Sequence, residues 1–411
     1  MAESRLPPKA IAITGIGVVS ALGTGRAAAW EAARAGDESG VRVLAADDPR
    51  RARATDASEV PAAGRAGWVR GFDPREHVHS PQLRRMDWGS RMVVAAARQA
   101  FDDAGLLPLD ERARAGLAVG SCYGNQRETE SYLSRVFTAG LGAGQPFLFP
   151  NLVLNAAGGY AAIELGIEGP NLSLSAHEAS GETAVAAAAD LLRSGACDVA
   201  CAGGFDELGR VYLDALADRR MLAAESLPPD RARGARGARR RSADGIVPGE
   251  GAAMVLLEPL ERARARGAHV YALLACARTA AVAAPPHLFA RDPADAARRM
   301  VALASGERDV TAVFGGADGS RARAALDEAV LRAFADRQGS CPAYVPFRRM
   351  CGEWGAAGAL GVALGACSLD AGLLPGLGAP TADAAVPERI LVVGAARGGV
   401  VAPVVLERLR G

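Results

Sequence analysis

Side chains able to exchange a proton or attack an electrophile near neutral pH are sparse in this 411-residue chain. The five histidines are His77, His79, His177, His269 and His287, and the seven cysteines are Cys122, Cys197, Cys201, Cys276, Cys341, Cys351 and Cys367. The cysteines form no Cys-x-x-Cys pair and, with the histidines, no metal-ligand spacing; there is no His-Glu-x-x-His and no Gly-x-Ser-x-Gly elbow. Gly15-Ile16-Gly17-Val18-Val19-Ser20 lacks the third glycine of a dinucleotide fingerprint, and no P-loop is present. Neither metal nor cofactor is implied. One pair does bear on chemistry: His177 and Glu178, between Gly169-Pro170-Asn171 and an Ala-rich stretch. Histidine is the commonest general base, yet neighbours along a turn point apart, so His177 is expected to be packed or bonded to backbone. Glu178 stands where a helix should begin. There the macrodipole favours a carboxylate, which can accept the free N–H groups of the first turn.

Half of the chain is hydrophobic, enough to bury a large core, and its length allows two or three domains. A net charge of +1 gives no bulk field toward nucleic acid or an anionic membrane. No segment is long and apolar enough to span a bilayer, and Met1–Lys9 runs into an apolar strand without the h-region of a secretory signal. An odd cysteine count in that setting implies reduced thiols and a cytoplasmic location, with Cys197 and Cys201 as core strand residues.

Short apolar or β-branched runs at Lys9–Thr14, Gly116–Ser121, Val199–Gly203, Ala252–Glu258, Thr311–Phe314 and Arg389–Val393 read as buried strands. Between them, Met86–Ala104, Glu182–Ser194 and Ala322–Ala335 have helical spacing. The alternation predicts an α/β architecture with mostly parallel sheets. One strand-rich half ends near Pro259 and a second begins near Val270, which divides the chain into residues 1–259 and 260–411. Gly36–Gly67 and Pro228–Gly245 read as loops. The second holds Arg231, Arg233, Arg236, Arg239, Arg240 and Arg241; it is either a docking patch for an acidic partner or a solvated charged loop.

The run Ala176-His177-Glu178-Ala179-Ser180-Gly181 after Gly169-Pro170-Asn171 resembles the ketosynthase signature, in which Thr-Ala-Cys-Ala-Ser-Gly follows Gly-Pro-Asn. The resemblance continues in Ile11–Ser20, in Asp244-Gly245-Ile246-Val247-Pro248-Gly249-Glu250-Gly251 and in Gly398-Gly399. It implies a thiolase-like fold, a five-layer αβαβα sandwich of two related halves. It also implies that the catalytic groups are gone. Glu178 takes the place of the nucleophilic cysteine, and a carboxylate lacks a thiolate's combination of nucleophilicity and leaving-group ability. Gly316-Ala317-Asp318-Gly319-Ser320 stands where the family has Asn-Ala-His-Gly-Thr, and Arg348–Ala359 stands for Lys-Ser-Met-Thr-Gly-His with its trailing Gly-Ala-Ala-Gly-Ala. Asp318 and Glu353 thereby replace the two histidines that donate hydrogen bonds to the enolate, Arg348 replaces the lysine, and Arg397 replaces a pocket-gating phenylalanine. No catalytic residue is expected. Three acids brought together need protons or cations beside them, so a polar network of Glu178, Asp318, Glu353, Arg348 and Arg397 is predicted to seal the site.

A ketosynthase-like chain without its catalytic groups resembles the chain length factor of type II polyketide synthases, although members of that family usually carry Gln where this chain has Glu178. The resemblance implies two partners, an active ketosynthase subunit and an acyl carrier protein that presents acyl chains on phosphopantetheine. It assigns Tyr123, Gln126, Thr129 and Leu133 to the acyl tunnel, and Phe147, Phe149 and Asn151 to the subunit interface. The alternatives are a malonyl carrier protein decarboxylase, which would lean on the two missing histidines, and a carrier-protein-binding scaffold.

Overall fold

The run Ile11–Ser20 forms a ten-residue strand in which every residue is buried, the mark of a strand covered on both faces. It is the first of ten numbered strands of one large sheet in a computed structural model that describes residues 10–43, 64–78, 81–109, 114–226, 245–304, 306, 308–376 and 386–410. In chain order these are β1 (Ile11–Ser20), β2 (Ala115–Gly120), β3 (Asn171–Leu174), β4 (Val199–Asp206) and β5 (Gly251–Pro259), then β6 (Ala272–Ala277), β7 (Ala312–Phe314), β8 (Ala343–Val345), β9 (Arg389–Val392) and β10 (Val404–Glu407). The two-residue strand Gly23–Thr24 folds back on β1.

The strand order is β8-β7-β9-β10-β6-β1-β5-β4-β2-β3. Both halves therefore run third, second, fourth, fifth, first. Their directions match as well: the second strand is parallel to the third and fourth, and the fifth is antiparallel to the fourth and first. The repetition, faint in the letters, is plain in the topology. The two first strands pair antiparallel, Ile11 opposite Leu274 and Ile13 opposite Ala272, and so join the halves.

Among the described residues, eight of the ten α-helices bear on the layers and the site: α1 (Trp88–Asp103), α2 (Gln126–Ala139), α3 (Ala156–Leu165), α4 (Ser180–Arg193), α5 (Arg210–Asp218), α6 (Pro293–Ala304), α7 (Arg321–Gln338) and α8 (Gly358–Ala371); the shorter Arg26–Arg34 and Leu260–Ala265 flank β1 and β5. Side-chain alternation assigns the faces. On β5, Ala252, Met254 and Leu256 join α1 and α3 in an outer core, whereas Ala253, Val255 and Leu257 join α4 and α8 in a central one. On β9, Ile390 and Val392 face that centre, and Leu391 faces outward to α6 and α7. The result is the five-layer arrangement of helix, sheet, helix, sheet, helix, with α4 and α8 between the halves.

Several sequence readings change. Gly36–Gly67 is not all loop, since Val41–Arg42 and Ala66–Gly67 pair antiparallel; residues 44–63 lie outside the described residues, as do 227–244 with the arginine-rich segment, and His79. Cys201 lies in β4, but Cys197 precedes the strand. Helix α8 escaped the periodicity reading because its residues from Gly358 to Leu369 are all buried, leaving no polar face to mark a repeat. Among the described residues no helix is long and apolar enough to cross a membrane.

Helix α1 starts where the Asp87 carboxylate accepts the Ser90 N–H at 2.8 Å, and it lies directly on β1. A Cβ on Gly17 would run into the Ala96 carbonyl oxygen, and one on Gly15 into that of Ala100. Gly17→Ala should therefore lower stability by roughly 1–3 kcal/mol through overpacking, read from the denaturant midpoint. An unchanged midpoint would mean that α1 can move off the sheet.

Candidate functional site

The ends of β2 and β4 are tied by one carboxylate. Asp206, the last residue of β4, accepts the Ser121 hydroxyl at 2.7 Å and the N–H groups of Cys122 at 3.0 Å, Tyr123 at 2.9 Å and Ala356 at 2.9 Å. Burial nonetheless pushes it up to about 6. Asp206 thus pins the first half to the segment that opens α8. The Cys122 thiol beside it is pushed far above the ordinary range, mainly by burial, which leaves it without thiolate character.

The turn between β3 and α4 sends its two notable side chains in opposite directions. His177 has a left-handed backbone, φ 49°, and its carbonyl accepts the Ser180 N–H at 3.1 Å and hydroxyl at 2.6 Å. Its ring is exposed rather than packed. Glu178 turns inward. Its carboxylate does not accept the first turn of α4; it accepts the Arg397 N–H at 3.0 Å and pairs closely with the Arg397 guanidinium. The helix-start reading of Glu178 is corrected accordingly: the loop carrying Gly398-Gly399 supplies its donors.

Asp318, Arg348 and Glu353 come together in the second half, through a cation not anticipated from sequence. Arg323, in the first turn of α7, and Arg348 each reach Oε2 of Glu353 at 2.9 Å. Arg323 also lies 3.8 Å from Asp318 and donates to the Ala395 carbonyl at 2.9 Å, while Asp318 accepts the Ser320 N–H at 2.8 Å and hydroxyl at 2.6 Å. Arg348 in turn lies 3.9 Å from Glu182 of α4. The network is divided: Glu178 with Arg397 on one side, Asp318, Glu353, Arg348, Arg323 and Glu182 on the other. Phe289 stands between, with the guanidiniums of Arg397 and Arg323 at 5.0 and 5.4 Å from its ring centroid. Arg323, Glu182 and Phe289 were missed; the signal available for Arg323 was the surplus of acid in a buried site.

Electrostatics follows from burial. Desolvation raises Glu353 against the pull of Arg348 and Arg323. For Arg323, burial works against the charge, but the carboxylates of Glu353 and Asp318 outweigh it. Glu182 is fully buried, neither carboxyl oxygen has a hydrogen-bond partner among the described residues, and burial pushes it up to about 7 despite Arg348. Three carboxyls, Glu182, Asp318 and Glu353, face two guanidiniums, so a proton held on Glu182 balances the group.

A model of the beta-ketoacyl synthase N-terminal domain matches residues 8–263. This chain belongs to the beta-ketoacyl synthase family. It is 33% identical over 264 residues to a 3-oxoacyl-[acyl-carrier-protein] synthase 2 of Coxiella burnetii and 29% identical over 263 residues to that of Vibrio cholerae. The matched region is 64% of this chain and 61% of each relative. Among solved structures, the ishigamide ketosynthase/chain length factor superposes with a TM-score of 0.82 at 24% identity, covering 98% of this chain and 100% of that one. A beta-ketoacyl synthase from Burkholderia phymatum superposes with 0.76 at 21% identity, with the same coverage. A type II polyketide synthase acyl-carrier protein in complex with its ketosynthase gives 0.71 at 16% identity, again with 98% and 100% covered.

The ketosynthase-like chain presents the remaining expected residues unevenly. Tyr123 and Leu133 are exposed and Thr129 is half-buried, but Gln126 is buried and donates its amide to the Glu207 carbonyl at 2.9 Å, so it turns away from them. Phe147 and Phe149 are exposed. Asn151 is not: its amide donates to the Arg85 carbonyl at 2.7 Å and its oxygen accepts the Tyr160 hydroxyl at 3.0 Å, so it holds the loop from beneath. Phe137, Leu141 and Val153 extend the exposed apolar surface, Phe137 at 81% and Leu141 at 87% exposure. The four-residue step from Leu133 to Phe137 on α2 was the missed signal; Leu141 lies beyond the helix end at Ala139.

Two measurements test this site. Arg323→Ala leaves Glu353 and Asp318 undercompensated and should cost about 3–5 kcal/mol, more than Arg397→Ala, whose side chain is 17% exposed. For Glu182 the folded state binds the proton more tightly, about 7 against the ordinary 4.5, so its contribution is full at low pH and is lost as pH rises through about 7. Glu182→Gln should therefore gain on the wild type in denaturant stability between about pH 5 and about pH 8; a constant difference would place the proton elsewhere.

Proposed function

We propose that this chain is the non-catalytic ketosynthase-like subunit of a type II polyketide synthase: it pairs with an active ketosynthase in a heterodimer, acts in the cytoplasm, and shapes the acyl tunnel that sets product length. The observation that carries this reading is the fate of the catalytic positions. Where the family places a thiolate and two imidazoles, this chain has Glu178, Asp318 and Glu353, all buried, with Glu178 and Glu353 consumed in ion pairs with Arg397, Arg323 and Arg348. A paired carboxylate neither holds an acyl chain as a thioester nor donates to an enolate. The halves, residues 1–259 and 260–411, divide the site between them, the first supplying Glu178 and Glu182 and the second the rest.

Two surface features support a partner subunit. The exposed apolar side chains Leu133, Phe137, Leu141, Phe147, Phe149 and Val153 come from neighbouring segments, a density unusual for a surface meant to stay in water. Strand β3 closes one end of the sheet with a single neighbour, β2, and is only partly buried. In this reading Phe147 and Phe149 belong to the interface, and Tyr123, Thr129 and Leu133 line the tunnel, fed from a phosphopantetheinyl carrier protein. Malonyl decarboxylation by this chain is disfavoured, since Asp318 and Glu353 replace the imidazoles it would use.

The test is co-expression with the ketosynthase of the same genomic neighbourhood, followed by carbon dioxide release and product length from malonyl carrier protein. Product should form only with both subunits, and Glu178→Ala should leave its length unchanged. Phe147→Asp should weaken the complex at least tenfold, the loss expected when an interface aromatic is replaced by a charge. Decarboxylation by this chain alone, abolished by Glu178→Ala, would overturn the proposal.

A further inference from the structure

We infer that Glu207 is the positioning residue that seats α2 for the partner subunit, through a buried two-carboxyl clamp with Asp87 beneath the first turn of the helix; this rests on the function proposed above. Helix α2 carries Leu133 and Phe137 on its exposed side, yet its fully buried residues are Gln126, Arg127 and Ser131, all polar. A helix in a folded protein ordinarily gains its stability by packing an apolar face. Without a fully buried apolar side chain, α2 depends on polar contacts, and those that reach the core gather at its first turn. Glu207, the residue after β4, is their centre: its carbonyl accepts the Gln126 amide at 2.9 Å and its carboxyl accepts the Arg127 N–H at 3.0 Å. The other carboxyl oxygen accepts the Gly89 N–H at the start of α1. One side chain thus ties the first turns of two helices.

The clamp is also a charge cluster. Asp87, Glu207 and Glu250 are all buried. Asp87 caps α1 through the Ser90 N–H and hydroxyl, and Arg91 on the same helix is its nearest cation. Arg127 turns its guanidinium to Glu250 at 2.6 Å and lies 5.7 Å from the Trp88 ring centroid. From α3 the Tyr160 hydroxyl faces Asp87, with Arg85 and Glu128 also acting on it. Three carboxyls therefore meet two guanidiniums, Arg91 and Arg127, and the cluster is neutral only while it holds a proton. Burial, then the charge of Asp87, pushes Glu207 up to about 8 against the pull of Arg127 and the two N–H groups, and burial raises Asp87 as well. Because the folded state binds this proton more tightly than the ordinary 4.5 allows, the contribution of the clamp is full at low pH and is lost as pH rises through about 8. A partner resting on Leu133 and Phe137 holds α2 down on the clamp and keeps water from it, which favours the protonated form. Partner and proton are thereby bound together.

The test is the dissociation constant of the full chain with the ketosynthase of the same genomic neighbourhood, measured by titration calorimetry across this pH range for the wild type, Glu207→Gln and Asp87→Asn. Wild-type affinity should fall about tenfold between about pH 7 and about pH 9, the change expected from a difference of about one pKa unit between free and bound chain. Glu207→Gln keeps an acceptor and carries no charge, so it should bind like the wild type at the low end and hold that affinity at the high end. Asp87→Asn keeps the cap of α1 and removes the neighbouring charge, so it should move the midpoint of the loss to lower pH; it is the deciding variant if Glu207→Gln does not fold. Amide exchange of the first turn of α2 in the free chain should quicken in Glu207→Ala, which removes both acceptors. A pH-dependent loss as large in Glu207→Gln as in the wild type, an unmoved midpoint in Asp87→Asn, or unchanged exchange in Glu207→Ala would overturn this inference alone. Absence of a complex with the wild type at every pH would instead remove the proposed function.

Discussion

Arg323 and Arg348 converge on one oxygen of Glu353, each at 2.9 Å, in the layer where the halves of the molecule meet. All three side chains are almost wholly withdrawn from water. Removing several charges from solvent is tolerable only when each has its counterpart in place, and here the counterparts come from different parts of the chain: α7, the segment before α8, and α4. The helices between the sheets cannot settle independently. Their packing and the charge balance are one constraint, and Asp206, which holds the ends of β2 and the approach to α8, repeats the same logic with backbone N–H groups in place of guanidiniums.

The fold was legible where a strand buried on both faces left a short continuous apolar run, or where a helix kept a polar face. Strands β2, β4, β5, β7 and β9 and helices α1, α4 and α7 fall within a few residues of their sequence reading. Helix α8 was hidden for a physical reason: a helix buried all round has no polar stripe. The identity of strand order in the halves was also hidden, because hydrogen-bond topology leaves no trace in residue letters beyond the apolar alternation that both halves share.

The site was legible only in part. Motif spacing located Glu178, Asp318, Glu353, Arg348 and Arg397, because the small residues around them, such as Gly319 and Gly352, are pinned by close backbone approaches. It did not reveal which acid met which base. Arg323 lies five residues from Asp318 in sequence, yet its contacts depend on how α7 is rotated against the loop of Ala395, a tertiary fact. Gln126 and Asn151 were misplaced for a similar reason. Polar side chains near a surface element turn inward when a buried carbonyl needs a donor, and each of these satisfies one.

The doubly held Glu353 also constrains how this chain can change. A side chain with a single neighbour can be exchanged alone, but here the charged partners are mutually dependent. An imidazole placed at position 353 would face two guanidiniums with no anion between them, and a cysteine placed at position 178 would strand the Arg397 partner. Each such single change leaves a buried charge unpaired, so the network resists piecemeal alteration: any one substitution in it passes through a less stable protein, and its members can change only together.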